Sequence, residues 1–97
     1  MPAATRIGDA DVPHCSGMTR AVGSPDVFVN GIPWSRQGDI NTSHLMPVPG
    51  TPPCIPHTAP ISSGSSTVFV NGMQAGRIGD PTCTCVAAGS PNVFAGG

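Results

Sequence analysis

Three histidines and four cysteines are the residues of this 97-residue sequence whose chemistry reaches beyond packing. Imidazole nitrogen and thiolate sulphur are the donors zinc prefers, four at a time and tetrahedrally, in sites that hold structure together. Their positions become informative when counted from three Arg-x-Gly-Asp segments. Arg6-Ile7-Gly8-Asp9 precedes His14, Arg36-Gln37-Gly38-Asp39 precedes His44, and Arg77-Ile78-Gly79-Asp80 precedes Cys85, at the same distance each time. Three donors so related need one more, and His57 is the remaining histidine. The expected metal site is therefore His14, His44, His57 and Cys85: closed, structural, and suited to one Zn2+ rather than to hard cations that take oxygen ligands. Cys83, in the Cys83-Thr84-Cys85 run, is an alternative fourth ligand.

The cysteines admit a second reading, since four of them allow three pairings into two disulfides. That would make the chain a disulfide-linked small secreted binding module. The segment Met1–Arg6 lacks the basic region and long apolar run of a secretory signal, so synthesis in the cytoplasm without a signal peptide is expected, and with it free thiols. Cys15 and Cys54 are accordingly expected as buried thiols. Three Phe, one Trp and no Tyr leave little for a large hydrophobic core, which makes a cross-link or metal a natural supplement. A formal net charge of -1 offers no field to attract nucleic acid or anionic lipid. No Ser/His/Asp spacing or pair of carboxylates stands out, and a closed metal shell leaves no open position, so no enzymatic activity is expected.

What positions the candidate ligands is a repeat. Residues 23–31, Gly-Ser-Pro-Asp-Val-Phe-Val-Asn-Gly, align without a gap on residues 64–72, Gly-Ser-Ser-Thr-Val-Phe-Val-Asn-Gly, and the register continues through the Arg-x-Gly-Asp segments. A third copy is split between the chain ends. Residues 89–97, Gly-Ser-Pro-Asn-Val-Phe-Ala-Gly-Gly, supply its first half, and Arg6 through His14 its second. A repeat cut in this way predicts a closed ring with pseudo-threefold symmetry, in which the two termini pair to complete the third unit and no strand edge is exposed. Val-Phe-Val followed by Asn-Gly predicts a hairpin with a type I′ turn. Sustained helical spacing is absent, so the fold class is all-β.

Alternation puts each Phe on one face and its flanking residues on the other. Phe28, Phe69 and Phe94 share one repeat position and are expected to form the core around the axis. Trp34 has no counterpart at the aligned Gln74-Ala75 and is expected to be exposed. The Arg and Asp of each Arg-x-Gly-Asp are read as a structural pair, with Gly making a tight turn and Asp accepting backbone N–H groups.

Pro2-Ala3-Ala4-Thr5-Arg6, the three degenerate units and the three His plus one Cys together resemble the PAAR-repeat proteins, a family named for a Pro-Ala-Ala-Arg motif, here with Thr5 inserted before the Arg. The resemblance spans essentially the whole chain. It implies a small cone of β-hairpins with zinc near its tip, held by His14, His44, His57 and Cys85. It also implies a broad base docked, one chain per trimer, on a trimeric β-helical spike of the valine-glycine-repeat (VgrG-like) kind in type VI secretion, or its equivalent in contractile phage tails. The expected role is that of a tip that caps and sharpens the spike for membrane puncture, assembled in the cell and ejected by the injection apparatus. Residues 1–97 would form a single domain without an effector extension, effectors binding separately.

Overall fold

Asn30-Gly31 and Asn71-Gly72 set the first elements. All four residues have positive φ, 55° and 77° in one pair and 55° and 79° in the other, the backbone of a type I′ turn, which Asn and Gly enter at least cost. They join β1 (Phe28–Val29) to β2 (Ile32–Pro33) and β5 (Phe69–Val70) to β6 (Met73–Gln74). Phe28 pairs with Pro33 and Phe69 with Gln74. The longer hairpin, β3 (His44–Pro47) with β4 (Cys54–His57), is the insertion of the second copy. This computed structural model describes residues 1–47, 49–50 and 54–96. Gly97 of the third copy's turn and residues 48 and 51–53 of the Pro-rich insertion lie outside them. The described residues form strands, bridges and turns with no helix, so the fold is all-β.

The third hairpin is made by the two ends of the chain. Ala3 bridges Phe94, Ala4 N donates to Val93 O at 2.9 Å, and Ala95 N donates to Pro2 O at 3.0 Å. The same bond runs inside the other copies, from Trp34 N to Val27 O and from Ala75 N to Val68 O. Between copies the pairing is cyclic: Arg6 bridges Trp34, Arg36 bridges Ala75, and Arg77 returns to Ala4. At the centre three backbone bonds close a ring. Ser35 N donates to Thr5 O at 3.0 Å, Gly76 N to Ser35 O at 2.9 Å, and Thr5 N to Gly76 O at 3.1 Å. The molecule built on this ring is elongated, 42 × 23 × 22 Å.

The ring decides what the core can hold. Ala4, Ala75, Val29, Val70 and Ala95 are buried around it, beside Thr5 and Ser35. Backbone at the axis leaves room for methyl and isopropyl groups but not for three phenyl rings. Phe28, Phe69 and Phe94 therefore point outward, 51%, 56% and 50% exposed, with the alternation as expected and the face reversed. Trp34 departs from expectation in the opposite sense. It is half-buried, and its indole N–H donates to the Gly76 carbonyl at 2.9 Å.

Gly76 has no space for a side chain: a Cβ there would lie 2.5 Å from Ser35 O and 2.8 Å from Ile61 Cδ1. Gly76→Ala should therefore destabilise by about 1–3 kcal/mol, lowering the melting temperature by roughly 5–20 °C, whereas Gly17→Ala, with nothing within 4 Å, should be near neutral. Thermal unfolding followed by circular dichroism compares the two.

Candidate metal centre

Each Arg-x-Gly-Asp is a braced turn. Arg6, Arg36 and Arg77 hold Asp9, Asp39 and Asp80 in ion pairs of 2.9, 2.8 and 2.9 Å, and each carboxylate also accepts the backbone N–H of its own Arg. The intervening Gly8, Gly38 and Gly79 have φ near 90°, which a residue with a Cβ rarely adopts. The sequence reading of these motifs as structural pairs holds. From each turn the chain leaves the ring and comes back. Ala10 bridges Thr19, Ile40 bridges Pro60 and Pro81 bridges Cys85, so the excursions comprise residues 11–18, 41–59 and 82–84.

Three frames alike in pairing thus launch three loops of unequal length, and their inner faces meet. His14 comes from the first, His44 and His57 from the paired strands of the second, where they lie directly opposite each other, and Cys83 from the third. One donor atom from each lies within 4.8 Å of the others. The His14 and His44 rings stack at 5.3 Å, and the His57 ring stands edge-on to His44 at 4.3 Å. His44 Nδ1 lies 2.8 Å from the Thr42 carbonyl, which can only accept, so Nδ1 donates; Nε2 lies on the other side of the ring, 3.4 Å from Cys83 Sγ. The Nε2 atoms of His14 and His57 are buried without a hydrogen-bond partner.

Burial, then the neighbouring His44 and His14, pushes the His57 imidazole below its ordinary value of 6.5. Neutral imidazoles with free lone pairs beside a thiol are the donor set of a structural zinc site. Buried nitrogens with no partner carry a desolvation cost that a coordinated cation would remove. The group can therefore hold a metal ion, and its chemistry fits zinc.

The three histidines come together as expected; Cys85 does not join them. Counting eight residues from the Arg assumes that every copy follows the same path, but the third excursion is only three residues long. Cys83 sits at its turn, while Cys85 is already on the returning leg, its carbonyl accepting from Val12 N at 2.9 Å. Both sulphurs are free thiols, half-buried. The expectation for Cys15 and Cys54 is overturned, because they form a disulfide that ties the first excursion to β4. Cys15 is exposed rather than buried. The signal for it lay in the spacing: Cys15 follows His14 directly and Cys54 shares a short strand with His57, so bringing those imidazoles together brings the sulphurs near. Compartment reasoning from the N-terminus outweighed that local geometry.

Two measurements follow from the site. Cys83→Ala should strip bound zinc from purified protein while Cys85→Ala keeps it, as read by elemental analysis; the reverse pattern would restore Cys85 to the site. In metal-free protein, folded His57 resists a proton that the unfolded chain accepts near pH 6.5. At this group the unfolded state then binds more protons below that pH, so the contribution of His57 to stability is level above about 6.5 and falls as the pH drops through and below it. Urea unfolding midpoints from about pH 8 to about pH 5 test this.

Residues 53–97 match the family model described as the PAAR motif. No curated protein matches the chain. The matched segment holds Cys54, His57, Cys83 and the third hairpin's C-terminal half, and the cyclic pairing carries the same unit back through Pro2-Ala3-Ala4-Thr5-Arg6. Residues 53–97 thus carry a PAAR motif, which supports the resemblance read from the sequence.

Proposed function

We propose that this chain is the tip of the spike of a contractile injection system, of the type VI secretion or phage-tail kind, seated on a trimeric β-helical spike and stabilised by one zinc ion. The observation that supports the reading is the cyclic pairing: three interstrand bridges at equivalent repeat positions, the last returning to the N-terminal segment, as a pseudo-threefold body would require. A monomer so built meets a threefold axis with no mismatch of symmetry, which favours one chain per trimer. Phe28, Phe69 and Phe94 supply the apolar contacts in this reading. They sit at one repeat position, each about half exposed, on the hairpin segments rather than on the excursions that carry the His and Cys donors.

His14, His44, His57 and Cys83 would hold the ion, and its contribution is mechanical. Four donors from three excursions become one cross-linked point, so that none of the loops can peel away under load. Residues 1–97 act here as one structural unit with no catalytic part. The chain is assembled in the cell and leaves it on the spike. The disulfide favours one element of the rival reading, a secreted binding module; titration of denatured protein finding two free thiols together with one zinc separates the two.

Mixing the protein with a valine-glycine-repeat spike trimer should give one chain per trimer by native mass spectrometry. Replacing all three Phe by Ser should weaken the complex at least tenfold without loss of zinc. Three chains per trimer would sink the proposal.

A further inference from the structure

The first residues of the three excursions are Asp11, Asn41 and Thr82, and Asn41 reaches both Asp11 and the sulphur of Cys83. Asn41 is completely buried. Its Oδ1 accepts the N–H of Ala59 at 2.8 Å, which turns the amide nitrogen the other way. That nitrogen faces three acceptors: Asp11 Oδ2 at 3.0 Å, Met18 Sδ at 3.3 Å and Cys83 Sγ at 3.7 Å. It has two hydrogens to give them. One goes to the carboxylate, and the second is divided between the two sulphurs. Asp11 is itself held by Arg20, through a fully buried ion pair of 2.8 Å, and Arg20 donates onward to the Asp39 carbonyl at 2.7 Å. The amide therefore stands between two groups that are both anionic once a metal is bound, a carboxylate and a thiolate, and offers an N–H to each.

We propose that Asn41 is the positioning residue of the metal centre, donating to the Cys83 sulphur so that the thiolate is held toward the three imidazoles and part of its charge is drawn off. This rests on the reading of His14, His44, His57 and Cys83 as metal ligands. Groups that hydrogen-bond to ligands typically change metal affinity about 10–100-fold. The repeat suggests one substitution that tests this role. At the corresponding place in the third copy Thr82 Oγ1 accepts the N–H of Thr84 at 3.1 Å, the counterpart of the bond from Ala59 to Asn41. Asn41→Thr can therefore keep an acceptor for that N–H while removing the amide nitrogen that donates to Asp11 Oδ2 and to the sulphurs, and Met18→Leu, which leaves the bond to Asp11 in place, isolates the part played at sulphur. Met18→Leu conserves volume and removes the sulphur that competes for the shared hydrogen.

The experiment loads the full chain with Co2+ and follows the sulphur-to-cobalt charge-transfer band, identified by its loss in Cys83→Ala. Asn41→Thr should move the band to lower energy, since an unbonded thiolate gives up charge more readily, and should release zinc to a chelator about tenfold more readily or more. Met18→Leu should move the band to higher energy. An Asn41→Thr protein that folds with the parent's band and zinc retention overturns the proposal, as does a Met18→Leu band that stays in place or moves to lower energy. Should Asn41→Thr fail to fold, Met18→Leu decides alone. A parent chain that takes up neither cobalt nor zinc sinks the metal reading and this inference with it, whereas a parent that binds both ions beside unmoved variants sinks only the role of Asn41.

Discussion

Three backbone hydrogen bonds, passed from Ser35 to Thr5, from Thr5 to Gly76 and from Gly76 back to Ser35, are the constraint on which this molecule depends. A cycle of this kind has no free end, so the chain termini must meet, and Ala3 and Phe94 do. It also brings three backbones within bonding distance at one place. Side chains near that place must then be small or absent, which accounts for the missing Cβ at Gly76 and the alanines at 4 and 75. Larger groups are displaced outward. The indole of Trp34 is half-buried at the edge of the ring because its N–H can add a further bond to the Gly76 carbonyl.

The frame is cyclic and the site is not. Gly8, Gly38 and Gly79 donate in the same way to Arg20, Ile61 and Val86, where the three excursions rejoin the ring. All three of those residues are buried, yet one is a cation. Removing a single partner from a buried pair such as Arg20 and Asp11 generally costs about 3–5 kcal/mol, because the survivor is left charged and dry. The first copy accepts this liability where the others place an aliphatic residue, and what it obtains is a carboxylate that accepts from Asn41. Unequal excursions do the rest, delivering one histidine, then two, then one cysteine. The disulfide between Cys15 and Cys54 closes a separation of 39 residues, which chain entropy makes worth about 4 kcal/mol, and it does so next to two of the imidazoles.

Much of this was legible in the residues. Asn30-Gly31 and Asn71-Gly72 announce their hairpins through local backbone preference, which needs no tertiary information. The copy split between residues 89–97 and 6–14 announces ring closure, since a repeat whose halves lie at opposite ends has one economical way to be whole. His14, His44 and His57 were found by register and by elimination. What the sequence could not convey was path length. Cys83 and Cys85 are equally good zinc ligands by chemistry, and only the bridge from Pro81 to Cys85 shows that the third excursion ends before residue 85. The orientation of Phe28, Phe69 and Phe94 was hidden for a related reason. Alternation fixes which residues share a face, while the space left by backbone at the axis decides which face is inside.

A protein whose three phenyl rings are each about half exposed must be held together by something other than their burial. Among the described residues, the fully or nearly buried polar and charged side chains include Thr5, Ser24, Ser35, Ser65, Ser90, Asp11, Arg20 and Asn41, while the buried apolar ones are chiefly alanine and valine. The serines show how such an interior works. Ser24, Ser65 and Ser90 each accept backbone N–H bonds two and three residues ahead, and each hydroxyl reaches a hairpin turn of the next copy: Asn71, the Gly96 carbonyl and Asn30. Where the third copy lacks the asparagine, main-chain oxygen takes its place. Directional bonds of this sort fix geometry as well as proximity, unlike apolar contacts, which are non-directional. A disulfide is stiffer again, and it lies in the excursions together with the His/Cys group that could hold a metal ion. The distribution suits the proposed role: the disulfide ties the first excursion to the β3–β4 hairpin, and the candidate metal cluster draws donors from that hairpin and from the two shorter excursions, so the three excursions are held to one another.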